Sequence, residues 1–325
     1  MKALGLLSGG LDSTLAVKLM LEQGIDVVAI NFTSPFCLCG RGGCGVVEVA
    51  KRFNIPLKMV KKSEDYLKLI RKPKHGYGKN MNPCIDCRIY TLKKAKNYAK
   101  KIGAKFIFTG EVLDERPMSQ HMKALRIIEK ESGLEGKILR PLSAKLLPET
   151  EAEKKGWVNR EKLLDIRGRC RKRQIQLAKD WRINDYPCPS GGCLLTYKEF
   201  ADKVRDLFKH KKRVKIKDIL LLKIGRHFRS SKNKIIVGRN EDENKQLLKL
   251  KNVSDYYFEV PGYGSPITLL QGPKTKVAIE KAAALTARYS DSKEKKTMVR
   301  FGKKRLENSI KIPALDDKEI KKLRM

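Results

Sequence analysis

Met1-Lys2-Ala3-Leu4-Gly5-Leu6-Leu7-Ser8-Gly9-Gly10-Leu11-Asp12-Ser13-Thr14 opens the chain, and its reading decides the fold of the first half. Residues 1–7 are mostly apolar and predict a buried strand. From Thr14 to Leu21 apolar residues recur at helical spacing, with Leu15 and Leu19 on one face, so a helix follows at once. Two glycines occupy the strand-to-helix turn, where bare backbone can approach an anion closely. Ser8 and Ser13 add hydroxyl donors, and the helix N-terminus adds a positive dipole end. The stretch is no Walker loop, because no Gly-Lys-Ser/Thr follows. It is no dinucleotide fingerprint either, because the third glycine is missing.

Outward from this loop, strand and helix patterns alternate. Strands are expected at 27–32, 57–60 and 105–109, and helices at 46–53 and 89–102. This rhythm predicts an α/β fold, a doubly wound parallel sheet with helices on both faces and its ligand at the C-terminal strand ends. From Gly156 to Trp181 a helical stretch is expected. Its Arg167, Arg169, Arg171, Lys172 and Arg173 favour a phosphate contact over a merely solvated face. After Thr196 the pattern changes to a basic helix (200–212) and a smaller α+β domain. Strands are expected at 224–229, 234–238 and 268–270, helices at 243–250 and 274–289, and a loosely ordered tail follows from 306.

The formal net charge is +36, from 72 Lys+Arg against 36 Asp+Glu, and it is spread over both halves. Such an excess calls for a polyanionic partner. With 7% aromatic residues, contacts to a phosphate backbone suit it better than base stacking. No signal peptide and no apolar run of membrane-spanning length is legible, so a cytoplasmic protein is expected, with no membrane partner. In a reducing compartment eight cysteines indicate metal, cluster or thiol chemistry rather than disulfides.

Cys84 and Cys87 form a C-x-x-C at the head of the helix around Ile89, where a helix N-terminus favours thiolate. Cys188 and Cys193 follow far along the chain. A C-x-x-C pair with one distant cysteine can bind three irons of a [4Fe-4S] cluster, leaving the fourth iron open, and zinc is the competitor. Cys37, Cys39 and Cys44 form a second group after the second strand, suited to metal or to persulfide. Cys170 is expected to be structural. His75 and His121 flank the candidate segments, and His227 falls on a strand expected to meet RNA.

Ser-Gly-Gly-x-Asp-Ser after an N-terminal strand resembles the PP-loop ATP pyrophosphatases. With Asn82-Pro83-Cys84-Ile85-Asp86-Cys87 and a later cysteine, residues 1–196 resemble the PP-loop tRNA thiolases more specifically. The segment Arg140-Pro141-Leu142-Ser143-Ala144-Lys145 also resembles one of theirs. The resemblance implies an ATP-dependent tRNA sulfurtransferase, which adenylates O2 or O4 of a uridine with loss of pyrophosphate and replaces that oxygen by sulfur. It implies that Ser8, Gly9, Gly10, Asp12, Ser13 and Thr14 hold ATP with Mg2+, joined by Phe32, Gly110 and Asp114. Glu111 departs from the family there, where a His is common. Cys87 takes the place of the catalytic cysteine and Cys193 that of the sulfur-carrying one. Keeping Cys84 as well resembles the cluster-dependent members, with Cys193 or Cys188 as third ligand. Phe228-Arg229 through Asn244, Val253-Ser254-Asp255 and Val260-Pro261-Gly262 resemble the NFACT-R RNA-binding domain over about 215–305, with 197–214 as a basic helical linker. The partners so implied are tRNA, a sulfide or persulfide donor, and a ribosome or tRNA-like RNA. Two rivals stand beside this reading. One is a PP-loop enzyme adenylating a small molecule or base precursor, as the 7-cyano-7-deazaguanine synthases do. The other is a non-enzymatic tRNA or ribosome adaptor.

Overall fold

The structure, a computed structural model, describes residues 1–38, 45–183 and 192–325, and it divides into two units, Met1–Tyr197 and Lys198–Met325. Unit 1 runs β1 (Lys2–Leu6), α1 (Leu11–Glu22), β2 (Asp26–Thr33), α2 (Val46–Arg52), β3 (Leu57–Lys61), α3 (Glu64–Arg71), α4 (Cys84–Lys101), β4 (Phe106–Thr109), α5 (Met122–Ser132), β5 (Ile138–Leu139), α6 (Glu151–Lys154) and α7 (Lys172–Asp180).

Its five strands lie in the order β3-β2-β1-β4-β5, all parallel. Parallel strands need crossover helices, and these coat both faces. Strand alternation sorts the side chains. Ala3, Val27, Ala29, Phe106 and Phe108 pack against Leu11 and Leu15 of α1 and Ala178 of α7. Leu4, Val28, Ile30 and Ile107 face Ile89, Leu92 and Ala95 of α4 and Ile128 of α5. From β1 the chain winds outward through β2 and β3, then returns to place β4 on the other side of β1. The order reverses between β1 and β4, and there the strand ends part to leave a crevice.

The expected helix over 156–181 is confined to Lys172–Asp180. Gly156 and Gly168 adopt left-handed backbone (φ 66° and 83°), and Leu164 and Ile166 instead bond in extended form to the carbonyls of Pro141 and Leu142. Burying Leu163 and Ile166 that way outweighs the weak helical pattern.

Unit 2 runs α8 (Lys198–His210), α9 (Ile216–Leu221), β6 (Arg226–Ser230), β7 (Asn233–Val237), α10 (Glu241–Leu250), β8 (Tyr256–Glu259), β9 (Thr268–Gln271), α11 (Lys276–Arg288), β10 (Thr297–Gly302), β11 (Asn308–Ile312) and α12 (Asp317–Leu323). A six-stranded antiparallel sheet results, ordered β11-β10-β8-β9-β7-β6. Alanine-rich α11 brings Ala282, Ala283 and Leu285 close onto Phe228, Ile235, Val237 and Phe258. Residues 306–325 are not a loose tail. β11 pairs with β10, and Leu315 and Ile320 join the α11 core, so a stretch that reads as charged keeps just enough apolar residues to be pinned. α8 buries Phe200, Ala201, Val204 and Leu207 and belongs to unit 2. Among the described residues, no helix is long and apolar enough to cross a membrane.

Candidate active site

The loops after the first four strands converge at the crevice. Ser8 follows β1, Ser34 and Cys37 follow β2, Lys62 follows β3 and Gly110 follows β4. These residues, with Gly10, Asp12, Ser13, Phe32, Cys84, Cys87, Arg88, Glu115, Arg116 and Cys193, line a cavity of about 290 Å³.

The phosphate-type loop is internally braced. Gly9 takes φ 81°, and Gly10 caps α1 with no side-chain hydrogen bond of its own. An uncapped helix start leaves amide donors for an anion. Ser8 N–H donates to Ser13 Oγ at 3.2 Å, and the two hydroxyls lie 3.0 Å apart. The Ser13 and Thr14 hydroxyls both donate to the Gly10 carbonyl. Thr14 is fully buried, so it stiffens the loop from behind. Gly110 has a steric reason to be glycine: a Cβ there would lie 2.5 Å from the Ser13 backbone. Its bareness lets α1 seat against the end of β4.

Asp12 stands at the cavity with Oδ1 unpartnered and Oδ2 3.5 Å from Arg171. Burial, reinforced by the nearby Glu115 carboxylate and opposed by Arg171, pushes its pKa up to about 6. The Arg171 guanidinium reaches both carboxylates, Asp12 and Glu115. Glu111, where the family resemblance departs, is sequestered in a chain of charge: Arg88 at 2.6 Å, Arg140 at 3.1 Å, and from Arg140 onward to Glu129. Burial would raise the Glu111 pKa, but the two guanidinium groups hold it below the usual carboxylate range.

The thiols share this cavity. Cys87 Sγ accepts from Lys62 Nζ and from Tyr66 OH, each at 3.0 Å. Burial disfavours its thiolate, yet Lys62 and the Tyr66 hydroxyl more than offset that, so its pKa falls below the ordinary thiol value. Cys84 is raised by burial and by the Cys87 thiolate. Burial pushes Cys193 up to about 12, with the other thiols adding to the shift. Cys37 forms an isolated antiparallel bridge with Cys193, drawing the distant segment onto the sheet edge. Cys39, Cys44 and Cys188 lie outside the described residues. Among the described residues, no three His, Cys, Asp or Glu are gathered closely enough to hold a metal ion. The donor chemistry nevertheless suits an iron–sulfur cluster: Cys84, Cys87 and Cys193 face one cavity from two chain segments, beside the cations Lys62 and Arg88.

Several expected residues stand elsewhere. Asp114 does not line the cavity; it is paired with Arg167 at 2.7 Å. The arginine-rich stretch is largely engaged within unit 1, with Arg171 on Glu115 and Arg173 on Asp165. A sequence cannot show that these cations meet carboxylates remote in the chain. His75 pairs with Glu131 at 2.9 Å, and the His121 ring caps α5 by accepting from Ala124 N–H. His227 is 2% exposed and cannot meet RNA directly. Exposed Cys170 lies outside the cavity. Lys62, Tyr66, Arg88, Glu115 and Arg116 were not expected. Lys62 and Tyr66 carried one faint signal, an amphipathic stripe of Tyr66, Leu67 and Ile70 behind the Ser63 N-cap, which predicts that α3 packs inward.

The two family matches fall one on each unit. Residues 1–145 match the family described as thiamine biosynthesis protein (ThiI), and residues 225–324 match the family described as NFACT protein RNA binding domain. A probable tRNA sulfurtransferase of Thermococcus kodakarensis is 30% identical over 150 residues, covering 43% of this chain and 36% of that protein. The tRNA-specific 2-thiouridylase MnmA of Clostridium acetobutylicum is 36% identical over 123 residues, covering 32% of this chain and 34% of that protein. A crystal structure of a 4-thiouridine synthetase–RNA complex with bound ATP superposes with a TM-score of 0.36 at 21% identity, over 68% of this chain and 52% of that one. The chain spans about a third of the length of these curated relatives. The first part of the chain, residues 1–145, is thus similar to ThiI proteins, and the later part, residues 225–324, to the NFACT RNA-binding domain.

Proposed function

We propose that the protein is an ATP-dependent tRNA sulfurtransferase that converts a uridine to a thiouridine. The observation that carries this reading is the meeting, in one cavity, of the braced Ser8–Ser13 loop with Cys84, Cys87 and Cys193. The family matches and the sulfurtransferase and thiouridylase relatives support it.

ATP phosphates sit against Gly9, Gly10 and the α1 N-terminus, with the Ser8 and Ser13 hydroxyls as further donors. Asp12, with Glu115 nearby, would hold Mg2+, which would screen the phosphate charge. Phe32 and Gly110 bound the nucleotide pocket. A uridine O2 or O4 attacks the α-phosphorus and pyrophosphate leaves, so the oxygen becomes part of a good leaving group. Hydrosulfide then attacks the activated ring carbon, AMP departs with the oxygen, and loss of the S–H proton leaves the thiocarbonyl. If a cysteine persulfide attacks instead, it leaves a Cys–S–S–C adduct. A second cysteine thiolate breaks the S–S bond of that adduct to release the thiouridine, and the disulfide so formed is reduced by an external thiol. Neither sulfur species needs a strong base near neutral pH. Cys84 and Cys87, with Cys193 or Cys188, would hold a [4Fe-4S] cluster, which would supply Lewis-acid binding of sulfide; zinc is the competing occupant. Lys62 and Tyr66 favour the thiolate of Cys87, the form that ligation or attack requires.

The test is incubation of anaerobically purified protein with ATP, Mg2+, sulfide and unmodified tRNA, followed by mass spectrometry of the digested nucleosides. A 2- or 4-thiouridine that vanishes in Cys87→Ala is the expected result. Tight tRNA binding with no thionucleoside and no RNA-dependent ATP–pyrophosphate exchange would overturn the enzyme reading in favour of an adaptor. Iron and acid-labile sulfide in the wild type, lost in Cys84→Ala, distinguish a cluster from zinc.

A further inference from the structure

The sheet of unit 2 is covered unevenly. α11 packs across one face, through Phe228, Ile235, Val237, Phe258 and Val299. On the other face, Leu221 of α9 and Leu247 of α10 meet Ile236 and Leu269, which lie on β7 and β9. That apolar cover ends at Tyr257 of β8 among the described residues, where Lys251, just past α10, lies over the Tyr257 ring and bonds the Lys303 carbonyl. β10 alternates accordingly: Thr297 and Val299 are buried, while Met298 and Arg300 are exposed. Register sets exposed Lys311 beside Met298, and exposed Ser309 and half-buried Glu259 beside Arg300. Lys295 and Lys296 precede the hairpin and Lys304 lies in its turn, all exposed. Among the described residues, none of Lys295, Lys296, Arg300, Lys304 and Lys311 makes an ion pair. This contrasts with Arg167, Arg171 and Arg173 of unit 1, each held by a carboxylate.

We propose that the uncovered face of β8, β10 and β11 seats the phosphate backbone of a folded RNA. The inference rests on the reading of unit 2 as the RNA grip of the proposed enzyme, and it names the surface. Charge complementarity selects the occupant, because a row of unpaired cations has a polyanion as its natural counterpart. Backbone contact is favoured over stacking of a single strand, because Tyr257, the aromatic residue on this face, is half-buried with its hydroxyl directed at the Lys304 carbonyl, 3.5 Å away. Lysine on an edge strand also deters strand-to-strand aggregation, and the experiment separates that role from RNA binding.

The full chain is titrated against a fluorescent unmodified tRNA transcript and against oligouridine over a range of salt. The triple variant Arg300→Gln, Lys304→Gln, Lys311→Gln should bind tRNA at least about tenfold more weakly near 0.15 M salt, and its log K against log salt should be shallower by roughly 3. Its ATP affinity should be unchanged. Glu259→Lys, on an interior strand away from the exposed edge, should tighten tRNA binding severalfold, which keeps the test open if the triple variant aggregates. A soluble, folded triple variant with wild-type affinity and slope would overturn the proposal, as would Glu259→Lys without effect. Equal wild-type affinity for tRNA and oligouridine would overturn the choice of a folded RNA. No binding of tRNA by the unaltered chain would overturn the tRNA reading itself, a failure distinguishable from loss of this surface alone.

Discussion

Lys62 Nζ lies 3.0 Å from Cys87 Sγ, although the two residues come from different elements, the end of β3 and the first turn of α4. The contact joins a cation that is 8% exposed to the thiol of a C-x-x-C motif, and it makes that thiol the acidic one of the cavity. Removing the cation removes stabilisation of the thiolate alone, so Lys62→Met should raise the Cys87 pKa. The pH dependence of iodoacetamide labelling at Cys87, measured on metal-free protein by peptide mass spectrometry, should move to higher pH by one unit or more. An unmoved profile would show that Tyr66 suffices.

Asp12 should make stability depend on pH in a definite sense. Its folded pKa of about 6 lies above the value of 3.8 expected for an unfolded aspartate. Between those values the folded state holds more protons, so stability falls as pH rises from about 4 to about 6 and stays reduced above. Asp12→Asn should therefore stabilise the nucleotide-free protein at pH 7.5, by up to about 3 kcal/mol, with the gain shrinking towards pH 4. The same variant should bind Mg2+-ATP more weakly. Urea unfolding at several pH values and ATP titration with and without Mg2+ check both halves.

A methyl group at Gly110 has nowhere to go. Gly110→Ala should push α1 from the end of β4, costing about 1–3 kcal/mol and weakening ATP binding more than stability, since the displaced backbone is the phosphate loop itself. Calorimetric ATP titration set beside urea unfolding separates the two effects. Equal ATP affinity in a destabilised variant would assign Gly110 to packing alone.

Arg140, 3% exposed between Glu111 and Glu129, should tolerate little. Arg140→Met strips one guanidinium from a fully buried carboxylate and should cost about 3–5 kcal/mol. The double change Arg140→Met, Glu111→Gln should recover part of that loss in urea unfolding, because the uncompensated charge goes with it.

The phosphate-type loop was legible because all its parts lie within fourteen residues and its chemistry is mostly backbone. Alternating patterns likewise exposed β2, β3 and β4, whose side chains split between two apolar layers. Lys62 and Tyr66 were not legible as site residues, because only the fold carries them from β3 and α3 to Cys87. The arginine-rich stretch misled for the same reason: Asp114 and Glu115, more than fifty residues earlier, hold Arg167 and Arg171. In unit 2, the last residues read as a charged tail because Ile310, Ile312, Leu315 and Ile320 are widely spaced, yet each packs in the α11 core.

The thiol wall has a consequence for how the protein matures. Its members come from positions 37, 84, 87 and 193. The last, near the end of unit 1, is tied to the others by the bridge to Cys37 and by backbone bonds between the residues just after it and Phe36 and Met81. No nascent chain shorter than 193 residues can possess the assembled wall, so any loading of the cavity belongs to the interval after unit 1 closes. Residues 198–325 supply no member of that wall, so the segment that completes it, around position 193, is the last part of unit 1 to be made.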